Sequence, residues 1–253
     1  MRLRLFRPAP PAEETVGLRL ADGTTVDVRW VRDPRARRLR LLVSDRGPRL
    51  TLPPRASTRS ALAFLDEHRD WLAAQLAKRP PPAPPFGRDD TGALPLRGVD
   101  VPLSWRDGRF ARVTLGEHSI ELQLPARAGD AQARAALREF YLQQARTDLG
   151  AWMPRWLPGL PRPPRAIGLR RLSSIWGSLS PSGAVSLDLA LVLGRPSAVE
   201  YVLVHELCHL IHADHSRAFW REVEARRPDW RAERDYLRGD GLALKAELSR
   251  LTG

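Results

Sequence analysis

Apolar and polar positions alternate in short runs over residues 16–20, 25–31, 38–43 and 49–52. Period-two alternation marks half-buried strands. Asp22-Gly23 and Asp45-Arg46-Gly47 supply turns between them, so these runs predict a small antiparallel sheet. Helical spacing follows in Leu62, Phe64, Leu65, Trp71, Leu72 and Leu76, a helix capped by Ser57 or Thr58 and running to about Lys78. Residues 79–85 read RPPPAPP, a stiff polyproline linker. Strand patterns return at 94–96, 101–105, 111–115 and 119–124. A long helix, capped by Asp130, then runs to about Trp156, where Pro158, Pro161, Pro163 and Pro164 end it. Residues 166–172 and 184–193 read as two more strands, separated by the Ser-rich turn SSIWGSLSPSG. Residues 1–13 are Arg- and Pro-rich and carry no such pattern.

The strongest pattern lies in VEYVLVHELCHLIHADHSRAFW, residues 199–220. Val199, Val202, Leu203, Leu207, Leu210 and Ile211 make a helix apolar over most of its circumference, hence a buried one. Ser197 and Glu200, directly after Pro196, have capping-box spacing at its start. At its far end Asp214 can turn the chain, and Ser216 can cap a following helix through Phe219, Trp220 and Val223. Two short charged helices are expected to close the chain after Pro228-Asp229.

This buried helix carries His205, Glu206 and His209 as an HExxH. At roughly 100° per residue, His205 and His209 stand about 40° apart on one face, one turn above the other. Two imidazoles so placed can grip one Zn²⁺, with Glu206 on the flank, in reach of a metal-bound water. His215 is the candidate third ligand, since the chain must turn back after the helix. His212 is read as a supporting or surface group, Tyr201 and Ser178 as structural neighbours, and Cys208 as a small core residue. His68 and His118 read as surface residues.

Composition changes the picture in two respects. With one cysteine, no intramolecular disulfide and no cysteine-based zinc site can form. The net charge of +12 makes nucleic acid an alternative partner, although 39 of the 41 basic residues are arginine, which matches GC-rich coding. Lys78 and Lys245 are the two exceptions. No apolar run approaches a membrane span, and the N-terminus lacks a signal-type apolar segment, so a cytoplasmic location without membrane partners is expected.

SSIWGS, the run GAVSLDLAL, EYVLVHELCHLIHADHSRAFW and RRPDW together resemble the YgjP-like metallopeptidases, which are distantly similar to SprT-like proteases. The likeness is dense over residues 166–238 and weaker but collinear over 15–165. It implies an α+β, zincin-like fold with the HExxH helix packed on a small sheet and a β-rich N-terminal half. It also implies His205, His209 and His215 as zinc ligands, Glu206 as general base, and a peptide or protein substrate. The sequence departs from the family pattern at Ile175 (usually Arg), Leu179 (usually Cys) and Asp188 (usually Asn). The expected organisation is a β-rich lobe over 1–79 ending in a helix, a Pro-rich linker over 80–88, and a metallopeptidase region over 89–253. The alternatives are a nucleic-acid-associated binding protein with a mainly structural zinc, and a protease acting on nucleic-acid-bound proteins.

Overall fold

In the computed structural model, which describes residues 13–44, 47–78, 85–88 and 91–253, the N-terminal alternation buries one face of a sheet. Strands β1 (Glu13–Arg19), β2 (Thr25–Arg32), β3 (Arg40–Ser44) and β4 (Gly47–Leu52) run in the order β1-β2-β4-β3. Val28, Trp30, Leu50 and Leu52 point inward and pack with Ala61 and Leu65 of α1 (Thr58–Glu67) and Leu72 of α2 (Arg69–Ala77). Two expectations are corrected here. The sheet is mixed, because β2 and β4 pair in parallel. The single helix of residues 57–78 is broken at His68, whose ring stacks on Phe64 at 4.1 Å. Both the backbone N–H and ring Nδ1 of His68 approach the Phe64 carbonyl, at 3.2 and 2.9 Å, and that competition takes the residue out of helical geometry.

The chain clusters into two compact units, Met1–Arg79 and Pro80–Gly253. Residues 1–12, the Asp45-Arg46 turn and residues 79–84 of the linker lie outside the described residues.

The second unit holds two sheets. Strands β5 (Ala93–Leu96), β6 (Val99–Asp107), β7 (Arg112–Leu115) and β8 (Ile120–Leu124) form one, in the order β5-β6-β8-β7. Its Leu94, Ile120 and Leu122 meet Leu137, Phe140 and Tyr141 of α3 (Asp130–Trp156) in one core. The other sheet has β9 (Ala166–Arg170), β10 (Gly177–Leu179) and β11 (Ala184–Asp188) in the order β10-β11-β9. The run 184–193 is therefore not one strand. Asp188 ends it by accepting the Ala190 N–H at 2.9 Å, and Leu189–Leu193 continues as a buried 3₁₀ turn. The stretch read as a Ser-rich turn contributes the edge strand β10.

Helix α4 (Pro196–Cys208) packs on β10 and β11 and is covered by α5 (Arg217–Arg226) and α6 (Trp230–Gly239). Leu203, Val204, Leu207, Phe219 and Val223 are fully enclosed there. Burying each such large side chain contributes about 1.5–3 kcal/mol. Helix α7 (Gly241–Thr252) closes the unit. The fold is mixed α+β, with the HExxH helix lying on a small sheet. No helix among the described residues is long and apolar enough to cross a membrane.

Candidate metal centre

Local chemistry at both ends of α4 sets where its histidines point. Pro196 occupies a first-turn position, which suits its fixed φ, and Arg195 is the N-cap without a side-chain cap bond. The expected Ser197–Glu200 capping box does not form. Glu200 instead accepts from Trp156 Nε1 at 3.1 Å and lies 3.7 Å from the Arg227 guanidinium. At the other end the helix stops at Cys208, short of the expected Leu210 and Ile211. The Cys208 carbonyl accepts both the Ile211 and His212 N–H at 3.0 Å, which tightens the last turn. Asp214 then accepts the Ser216 N–H at 3.2 Å, and Ser216 caps α5 by accepting from Phe219. This sharp exit carries His215 back over the helix.

His205, His209 and His215 each present a ring nitrogen, and the three nitrogens lie within 4.8 Å of one another. His205 Nε2 and His215 Nε2 are 3.1 Å apart. Two nitrogens bound tetrahedrally to one zinc at ~2.0–2.1 Å would stand about 3.3–3.4 Å apart, so the spacing suits a shared ion. Proton placement agrees. His209 Nδ1 lies 3.1 Å from the His212 carbonyl, to which its N–H donates, and this leaves Nε2 with a free lone pair. It is the backbone of His212, then, that supports the site. Burial, with His209, His215 and Arg234 adding to it, pushes the His205 imidazole down to about 3. His215 is lowered for the same leading reason. Both rings are therefore neutral near neutral pH, the form in which an imidazole can ligate a metal. His205 Nδ1 is buried with no hydrogen-bond partner among the described residues. Such an orphan costs about 1–3 kcal/mol. The donor set fits a divalent transition metal.

Phe219 and Trp220, at the start of α5, wall in the imidazoles. His209 stacks on Phe219 at 4.5 Å, and His205 meets it edge-on at 4.9 Å. Tyr201 lies edge-on to His205 at 5.9 Å. Cys208 is fully buried and faces away from the cluster, in the α4 core.

Glu206 is nearly enclosed, at 6 % exposure. Burial raises its carboxyl to about 7, and a backbone hydrogen bond from Leu179 pulls partly the other way. The histidines, Glu206 and β10 together line a cleft of about 920 Å³.

The model of the family described as YgjP-like, metallopeptidase domain matches residues 37–240. The chain belongs to this family. At that level it is a metal-dependent peptidase. A crystal structure of the metallopeptidase zymogen abylysin from Pyrococcus abyssi is 28% identical, over 39% of this chain and 90% of that chain, with a TM-score of 0.27. No curated protein matches.

The Trp-Gly-Ser segment, residues 176–178, has a spatial role that the sequence did not reveal. A Cβ on Gly177 would stand 2.7 Å from both Cγ and Oε1 of Glu206. Gly177 does not have a positive φ, so space alone demands the glycine. Trp176 is held from the other side. Gly241 opens α7 against it, where a Cβ would come within 2.6 Å of the indole Cζ2. Lys245 Nζ sits 4.2 Å from the centre of the Trp176 ring, donates to the Ile175 carbonyl at 3.0 Å and pairs with buried Asp188. Asp188 also accepts the Leu172 N–H at 2.9 Å. The buried acid Asp188 thus has a cationic partner from α7, which lies beyond residues 37–240. The signal for Lys245 was its rarity: it is one of two lysines among 41 basic residues. A compact ammonium serves the Leu172 and Ile175 carbonyls and the Asp188 carboxylate together better than a planar guanidinium.

Lys245→Met is expected to destabilise the protein by about 3–5 kcal/mol, the cost of stranding a buried charge. Adding Asp188→Asn is expected to recover most of that loss, a non-additivity that denaturant unfolding of the two single variants and the double variant would measure. Strictly additive losses would mean that the two side chains are not coupled.

Proposed function

We propose that the protein is a zinc-dependent peptidase in which His205, His209 and His215 hold the metal and Glu206 is the general base. The observation that carries this reading is the convergence of three imidazole nitrogens within 4.8 Å on the wall of a cleft that Glu206 also lines. When bound, zinc supplies Lewis acidity and lowers the pKa of a coordinated water toward about 7. Glu206 takes a proton from the attacking water and returns it to the leaving amine.

Strand β10 offers the means to hold an extended peptide. Strand β11 itself has no open edge, because it is flanked on both sides by β10 and β9. Of the two edge strands, β10 is the one that lines the cleft. Ser180 N–H bonds the Ala184 carbonyl, and Asp188 N–H bonds the Trp176 carbonyl. By antiparallel alternation, the backbone groups of Gly177 and Leu179 face outward, toward the cleft. The Leu179 N–H already donates to Glu206, so a peptide laid along that edge would pair with the Gly177 backbone and the Leu179 carbonyl.

The test is metal content per chain by elemental mass spectrometry. About one zinc per chain is expected in the wild type, and close to none in His209→Ala and His215→Ala. Zinc retained at full stoichiometry by both variants would refute the ligand assignment.

A further inference from the structure

The cleft is strongly asymmetric in charge. Arg162, Arg234 and Arg238 line it, against Glu206 as the single carboxylate among its lining residues. Arg162 lies by the β10–β11 turn, where a Cβ on Gly183 would meet its guanidinium at 3.3 Å. The other two stand on α6. Their charges act on Tyr201, and that of Arg234 also acts on His205 and His215.

Arg234 differs from the arginines around it. Arg195 pairs with Glu233 at 2.8 Å, Arg227 with Asp229 at 2.9 Å, and Arg231 with Glu224 at 2.6 Å. Arg238 has Asp235 at 3.4 Å, with both side chains largely exposed. Arg234 has no carboxylate partner among the described residues. Its guanidinium instead lies 5.4 Å from the Trp220 ring and 6.0 Å from the Trp230 ring, and these two indoles stack on each other at 4.3 Å. Packing on aromatic faces holds the guanidinium in place without neutralising it and uses none of its five N–H donors. A half-buried arginine so held, beside the metal ligands, is prepared for a planar anion.

We propose that this end of the cleft is a carboxylate-binding subsite with Arg234 as its specificity-determining residue, and that the substrates are peptides carrying an acidic group next to the scissile bond. The inference rests on the peptidase reading of the cleft and adds a substrate class to it. The carboxylate can be an Asp or Glu side chain or the C-terminus of the peptide. A basic segment of a nucleic-acid-bound protein has the wrong charge for this site.

The test uses the full chain carrying Glu206→Gln, loaded with zinc, and calorimetric titration with three peptides of one sequence. The first has a central Glu and an amidated C-terminus. The second has Gln in its place and is also amidated. The third has that Gln and a free C-terminal carboxylate. At least one carboxylate-bearing peptide is expected to bind about tenfold or more tightly than the amidated Gln peptide; the first binding better identifies a side-chain acid, the third a terminal one. Arg234→Gln is expected to abolish the preference, and Arg234→Lys to retain only part of it, because the planar fork is lost. Equal affinity for all three peptides, or a preference unchanged in Arg234→Gln, would overturn the proposal. Zinc content and wild-type hydrolysis of the same peptides separate the two readings. An Arg234-dependent preference without any hydrolysis leaves the subsite standing and removes the peptidase reading. Hydrolysis of the Glu and Gln peptides alike, with equal affinities, does the reverse.

Discussion

Exchanging Glu206 for Gln is expected to lower peptide hydrolysis by about 10²–10⁴-fold, the usual contribution of a positioned general base. Gln matches Glu in shape, and its carbonyl can still accept the backbone bond from Leu179. The variant is therefore expected to fold and to keep its metal. The pH dependence of the metal-free protein gives an independent check. Burial raises the Glu206 carboxyl in the folded state to about 7 from its ordinary 4.5. In the unfolded chain it ionises near the lower value, so between the two pH values the native state holds the extra proton. Stability linked to this group is complete below about pH 4.5 and falls as pH rises through 7. Thermal unfolding in chelator is thus expected to show Glu206→Gln more stable than wild type at pH 8, with the gap closing by pH 5. Hydrolysis at the wild-type rate by the Gln variant would remove Glu206 from the chemistry.

The sequence made most of this site readable because its signals are local. His205 and His209 are one helical turn apart, so a spacing of four fixes their common face whatever surrounds the helix. The turn back to His215 depends on Asp214 and Ser216, whose side chains act within three residues of themselves. The need for the chain to turn back pointed to His215 as the third candidate, and the family resemblance supplied the expectation of a small sheet under the helix, where β10 and β11 lie.

What stayed unread is non-local. Glu200 has the spacing of a cap, but Trp156 and Arg227, distant in sequence, claim its carboxylate. The apolar run over 184–193 has the period of a buried strand, and only the pairing of Asp188 with Leu172, Ala190 and Lys245 shows where it must turn. Strand β10 has three residues, too few for any alternation to register. Arg234 stands among many paired arginines, and nothing in the sequence marks it as the one that faces two indoles.

The largest consequence of that unread edge strand concerns Gly177. Gly177→Val is expected to lower kcat by about 100-fold while leaving zinc content and KM near wild type. The backbone there can accept a side chain, since Gly177 does not have a positive φ, and valine is at home in a strand. The obstacle is the Glu206 carboxylate, whose Oε1 lies 2.7 Å from the position a Cβ would take. The carboxylate is the free end of a flexible side chain, so it gives way before the strand does. A displacement of about 1 Å in a reacting group can cost on the order of 10²-fold in rate. The three atoms nearest that Cβ all belong to Glu206, and none to an imidazole. Metal binding and proton transfer are thereby separated by one substitution, which His209→Ala cannot do. Gly177→Ala is expected to fall between valine and wild type, following the displacement. A wild-type kcat in both variants would mean that the base tolerates the shift, and the glycine would then need another explanation than room for Glu206.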